Sequence, residues 1–222
     1  TYVKRVDNFF IWSIYDNGID KYFGDYYDYT ASKGMNIYYN TSIWGTETID
    51  DYQFHCVYSN ALTSKQIKYV KDYCKKTIKQ LNLKKKSNYK KALVINNYIR
   101  SHYEYDDSHK IRDPYNFIKK GKGVCTAYTQ LYYFLCRYAG VPTKILCGFG
   151  KGTHNWEQHS WNACKFNGKW YQIDVTWNDC LDSNSYFGYG KNFKEHKLDW
   201  VWKGKEFQKG FPFATKKYKL VS

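Results

Sequence analysis

The dipeptide Asn167-Gly168 constrains this chain's geometry more than any other feature. It stands between two runs of alternating apolar and polar residues in HSWNACKFNGKWYQIDVTW, residues 159 to 177. Asn-Gly in that setting is the strongest short-range signal for a two-residue type I′ hairpin. Such a turn sets a register: with Phe166 opposite Lys169, His159 falls opposite Thr176 and Trp161 opposite Asp174. His159 and Asp174 then share one sheet face as diagonal neighbours, roughly 7 Å apart at Cβ, within reach of a hydrogen bond. On this reading Asp174 accepts the Nδ1–H of His159 and leaves Nε2 free. Gln172 lies on the same face one step along, and Gln172→Ala is expected to be nearly silent. The other face collects Cys164, Phe166, Tyr171, Ile173, Val175 and Trp177 into a core.

A second stretch, GKGVCTAYTQLYYFLCRYAGVPTKI, predicts a helix that begins at Cys125. Ala127, Leu131, Phe134, Leu135 and Tyr138 recur at steps of three and four, and Gly140 followed by Val141 and Pro142 is a normal stop. Gly121 and Gly123 let the backbone approach closely just before the helix. A thiol at a helix N-terminus meets unpaired N–H groups and the positive end of the dipole, which favour the thiolate. Most cysteines are simply small buried hydrophobes. Here the partners change that reading: a cysteine on a helix end, a histidine on one strand and an aspartate on the next supply nucleophile, base and orienter.

The segments GKGVCTAY, HSWN and WYQIDVTWND resemble the three core motifs of the transglutaminase-like superfamily, in particular its bacterial members. YEYDDS upstream, and EHKLDW and FPFATKKY downstream, are similar to segments that flank that core. The resemblance runs from about residue 90 to 180, weakens toward the C-terminus and is absent before residue 60. It implies an α+β, papain-like fold, with the nucleophile at the N-terminus of a helix packed on an antiparallel sheet that carries the histidine and the acid. Cys125, His159 and Asp174 become the triad. Val175 stands where family members often have proline, a strand former in place of a rigid residue. The resemblance further implies that Tyr103 or Tyr105 donates to the oxyanion, with core packing the preferred reading of both, and that Trp161 and Trp177 line the substrate groove.

The implied reaction is acyl transfer on protein or peptide carboxamide or peptide bonds through a cysteine thioester, with no cofactor. The same triad serves cysteine proteases and amidases. A noncatalytic cell-surface binding module is the reading from another class, and it gives no physical reason to keep all three residues. Placement outside or on the surface of a bacterium accompanies this reading. The chain begins at Thr1, so targeting information is expected to have been removed.

Residues 63–222 are expected to form the domain, with its core at 87–180, and residues 1–62 a strand-rich, tyrosine-rich extension with strands at MNIYYN and YQFHCVY. His55 and Cys56 are adjacent, so in a strand they point to opposite faces and make a poor metal pair. His154 reads as a surface histidine. None of the seven cysteines falls in a C-x-x-C, which argues against structural zinc, and most are expected to be reduced and buried. No apolar run approaches the length of a transmembrane helix.

Helices are expected from a Thr63 cap to Leu81 and from Ser87 to His102, the second burying Ala92, Ile95, Tyr98 and Ile99. Eleven lysines and one acid, Asp72, lie between Lys65 and Lys91, and most of the net charge of +15 is concentrated there. This face is read as solvated, since lysine without arginine lacks bidentate phosphate geometry, and no specific nucleic acid is expected. The competing reading is attraction to an anionic cell-wall polymer. A solvated face predicts no retention of an anionic polymer even at low ionic strength. Retention that falls steeply with salt, and is lost on charge reversal at Lys84, Lys85 and Lys86, would establish the competing reading.

Overall fold

The computed structural model describes residues 9–13, 44–49, 52–58, 64–152, 155–198 and 212–219. MNIYYN, the Thr63 cap and His154 lie outside these residues. Strands β1 (Phe9–Ser13), β2 (Trp44–Ile49) and β3 (Tyr52–Tyr58) form an antiparallel sheet in the order β1-β3-β2. Helices α1 (Ser64–Leu81) and α2 (Asn88–His102) follow, then α3 (Pro114–Lys120) and α4 (Cys125–Tyr138), with two-residue strands β4 (Glu104–Tyr105) and β5 (Lys122–Gly123) pairing beside α3. Strands β6 (Thr143–Lys151), β7 (Trp156–Phe166), β8 (Lys169–Ile173), β9 (Phe187–Tyr189) and β10 (His196–Leu198) make the main sheet, in the order β10-β6-β7-β8-β9, with helix α5 (Val175–Cys180) inserted after β8. The architecture is α+β with an antiparallel sheet.

Helix α4 is the centre of the fold. Every residue from Thr126 to Cys136 is buried, because α1, α2 and α3 pack on one side and β6 and β7 on the other. Its end is set by Gly140 at φ 77°, with Gly140 N–H donating to Arg137 O at 3.0 Å and Val141 N–H to Cys136 O at 2.9 Å. These two bonds are a Schellman motif. The Lys91 ammonium donates to Ala139 O at 2.9 Å, so one lysine of the basic stretch caps this helix. In α2, Ser87 accepts from Lys90 N–H as the N-cap, and Ala92, Ile95, Asn96 and Ile99 are buried. Tyr98 is only half-buried.

The hairpin register holds over the paired residues. Phe166 faces Lys169 and Asn162 faces Ile173, and the turn residues Asn167 (φ 47°) and Gly168 (φ 80°) take the left-handed backbone that type I′ requires. The alternating pattern fails beyond that. Strand β8 stops at Ile173, and Val175 to Cys180 turn into α5, so His159 has no partner at Thr176 and pairs instead with Gly148 of β6. The cause is Asp174, whose side chain accepts Trp177 N–H at 3.0 Å and so acts as a helix N-cap. Val175 is therefore the first helical residue and not a strand former. That first helical position also suits proline, so a proline there is compatible with the same cap by Asp174.

Candidate active site

Cys125 is the first residue of α4 and is held from both sides. The loop before it is clamped by Glu104 N–H to Gly121 O (2.9 Å), Asp106 N–H to Gly123 O (3.0 Å) and Val124 N–H to Ile111 O (2.9 Å). A side chain at Gly123 would lie 2.7 Å from Phe117 and 2.8 Å from Ala127, so the glycine permits this close approach. Buried Asp106 fixes the preceding loop by accepting from Ser108 Oγ (2.6 Å), Ile111 N (2.9 Å) and Lys110 N (3.0 Å). Behind Cys125, Thr129 bonds Cys125 O and Ser160 Oγ, tying the first turn of α4 to β7. Val124, the N-cap, offers no side-chain bond to that turn, so its N–H groups are not consumed by a capping side chain.

The structure brings Cys125, His159 and Asp174 together. Burial pushes the Cys125 thiol up, but the hydrogen bond and charge of His159, then bonds from the Ser160 hydroxyl and N–H, outweigh it and hold the thiol below its ordinary range. Burial likewise opposes the His159 imidazolium. The charge and hydrogen bond of Asp174, then those of Cys125, overcome this and raise the imidazole to about 10. Asp174 is pushed up by burial and held far below the usual carboxylate range by His159 and His196. The thiolate and imidazolium are thus the stable forms in a window bounded above by about pH 10.

The ring orientation differs from the sequence expectation. His159 Nε2, not Nδ1, lies 2.7 Å from Asp174 Oδ2, which leaves Nδ1 for the thiol. The geometry of β7 explains this. Cys125 sits close enough to the strand to accept the Ser160 N–H, so it meets the ring nitrogen nearer the backbone. Asp174, at the end of the neighbouring strand, is reached by the far nitrogen.

A second histidine completes the cluster. His196 Nε2 also lies 2.7 Å from Asp174 Oδ2, and its side chain is fully enclosed. Nothing local marks it within EHKLDW; only the pairing of β10 with β6 brings it opposite Gly150. His159, Asp174 and His196 offer metal-ligand atoms within 4.8 Å of one another, but these are already closed upon each other by the two 2.7 Å bonds. Trp177 stacks on His159 with centroids 5.2 Å apart, on the His159 side of the sheet and not in the core with Cys164 as expected. A Cβ at Gly150 would lie 2.8 Å from Trp177 and 3.2 Å from His159, so the glycine seats both rings.

The remaining candidates separate. Tyr103 is buried, its hydroxyl 2.7 Å from that of Tyr73 and its ring against Phe117, so it packs in the core and does not reach the thiol. Tyr105 is half-buried beside the site: burial and then the charge of Cys125 raise its phenol to about 12. Trp161 is 1% exposed and donates to Gln172 Oε1 at 2.9 Å, so it forms a floor behind His159 and does not line a groove. Gln172 shares that face as the register requires, but it also donates to Gly190 O at 2.8 Å. Gln172→Ala would leave two buried groups unpartnered and is not silent.

Residues 75–175 match the family model of the transglutaminase-like superfamily. Over those 101 of its 222 residues the chain is similar to a transglutaminase-like core. That span includes Cys125, His159 and Asp174 and stops before His196. The chain is also similar to the kyphoscoliosis peptidases of Mus musculus (31% identical) and Homo sapiens (30%), over 38% of this chain and 15% of each relative. It therefore spans a small part of the curated relatives it matches. Among solved structures, it is similar to a TGase at 14% identity (72% of this chain, 49% of the other, TM-score 0.46) and to LapG of Legionella pneumophila at 20% identity (49% and 70%, TM-score 0.37). Among the described residues, no helix is long and apolar enough to cross a membrane.

All six described cysteines are free. Cys180 is exposed, yet burial of its thiol and the charge of Asp179 raise it to about 11, the reverse of Cys125. Iodoacetamide at a pH of about 6 is therefore expected to alkylate Cys125 ahead of the more exposed Cys180, as read by peptide mapping. Labelling ordered by exposure alone would contradict the lowered thiol.

Proposed function

We propose that this chain is a cysteine acyl-transfer enzyme with Cys125 as nucleophile, His159 as acid and base, and Asp174 as orienter. The observation that carries the reading is the Cys125 thiol, at a helix N-terminus, bonded to a His159 ring whose far nitrogen is tied to a buried carboxylate. The Cys125 sulfur attacks the carbonyl carbon of a carboxamide or peptide bond, forming C–S. As the C–N bond breaks, the leaving nitrogen takes the proton from His159 Nδ1. The acceptor then gives its proton to His159 and attacks the thioester, and the C–S bond breaks to restore the thiolate. Backbone N–H groups of the first turn of α4 are suited to hold the oxyanion, with Tyr105 as the side-chain donor.

Transfer to an amine is the reading we put first. Hydrolysis is the second, favoured by the peptidase name of the curated relatives. The reaction is placed outside or at the surface of a bacterial cell, and the exposed lysines of α1 and the following turn are read as a solvated face. Mass spectrometry of protein substrates incubated with a primary amine tests the proposal. Gain of the amine is expected; loss of ammonia alone or chain cleavage would select hydrolysis, and no change would remove both.

Asp174→Asn gives a sharper test of the orienter. Asp174 accepts three bonds, from Trp177 N–H, His159 and His196. An amide has only one acceptor oxygen, so its NH2 must face either the cap donor or both histidine donors. Turnover is expected to fall by orders of magnitude, up to the roughly 10⁴-fold loss known for the serine-protease triad. Turnover near that of the parent would remove Asp174 from the mechanism.

A further inference from the structure

We propose that His196 is a positioning residue for this reaction: its neutral imidazole donates from Nε2 to Asp174 Oδ2, the oxygen that also receives His159 Nε2, and so fixes the carboxylate that fixes the base. The proposal rests on the roles given above to Cys125 and His159. An ionised carboxylate oxygen offers two lone-pair sites, and Oδ2 uses one for each histidine, both at 2.7 Å. Oδ1 is held by Trp177 N–H at 3.0 Å. With all three donors in place the carboxylate has a single orientation. Without His196, one lone pair of Oδ2 is empty and the group can turn about its terminal torsion, carrying the His159 hydrogen bond with it.

His196 is built to be immobile. Its N–H donates to Phe193 O at 2.9 Å, and β10 pairs with β6 at Gly150. Its ring stacks on Phe193 at 3.7 Å and meets Trp177 at 4.5 Å and Trp161 at 4.8 Å. The tautomer follows from the same surroundings. Nε2 must carry the proton to bond a carboxylate already accepting from His159. A second proton on Nδ1 would meet no acceptor among the described residues and would set another cation beside His159, whose ring centroid is 5.6 Å away. His196 therefore works as a neutral donor and not as a second base.

The test compares His196→Met, which fills the volume without a donor, with His196→Gln, whose amide restores one. With folding checked by circular dichroism, His196→Met is expected to lower kcat by about 10- to 100-fold, by analogy with the loss of an outer partner of a metal-bound ligand, with KM little changed. His196→Gln is expected to recover most of it. Two readouts do not depend on turnover. The acid limb of Cys125 alkylation by iodoacetamide should move to higher pH in the Met variant. The downfield proton resonance of His159 Nε2–H, assigned by its loss in His159→Gln, should weaken in the Met variant and persist in the Gln variant. An unchanged resonance in His196→Met, an acid limb moving to lower pH, or a Gln variant no better than Met would each overturn the proposal. An inactive parent that shows the expected resonance changes would sink the acyl-transfer reading and leave the positioning role intact.

Discussion

The buried carboxylate of Asp174 is the constraint on which the site depends. An ionised group with no exposed surface costs on the order of several kcal/mol to desolvate, and it persists only where hydrogen bonds and opposite charge offset that cost. Asp174 obtains them from three directions at once. Trp177 N–H comes from the helix the residue itself starts, His159 from the neighbouring strand, and His196 from the far edge of the sheet. The same side chain therefore ends β8, begins α5 and holds two rings. These roles are one interaction geometry seen from three elements, so they cannot be varied separately.

The parts of this arrangement that were legible in the sequence are those encoded locally. Asn167-Gly168 specifies the hairpin because both residues must take positive φ, and the register followed from Phe166 to Ile173. The start of α4 at Cys125 and its stop at Gly140 were legible because glycines and apolar spacing mark them. The alternation failed at Asp174. The run IDVTW reads equally as strand or as cap and first turn, and the choice falls to the helix because Asp174 Oδ1 captures Trp177 N–H. An aspartate at the end of an alternating run with no turn residue after it was the available signal.

What could not be read locally depends on distant partners. His196 is brought to Asp174 by strand β10, which is three residues long and crosses to the opposite edge of the sheet. Tyr103 and Tyr105 are two positions apart in one short segment. Tyr103 is claimed by Tyr73 of α1, while Tyr105 remains beside Cys125. Burial on both faces of β7, from His159 to Cys164, also removed the contrast on which periodicity relies.

The two histidines on Asp174 show how one carboxylate supports two protonation states. Both donate from Nε2 to the same oxygen at the same distance, yet His159 is raised to about 10 and His196 is lowered. Burial opposes the charge on each, so their second neighbours decide. His159 faces the Cys125 thiolate, a further anion that stabilises the imidazolium. His196 is enclosed by Phe193, Trp161 and Trp177, and burial with the charge of His159 outweighs Asp174 and the weaker pull of Glu195, so a second proton is disfavoured. The cluster thus holds one thiolate, one imidazolium, one carboxylate and one neutral imidazole. Of the two rings on Asp174, His159 is the one that also bonds Cys125. Environments that push like groups apart in this way are how a site assigns acid, base and support to residues of the same type.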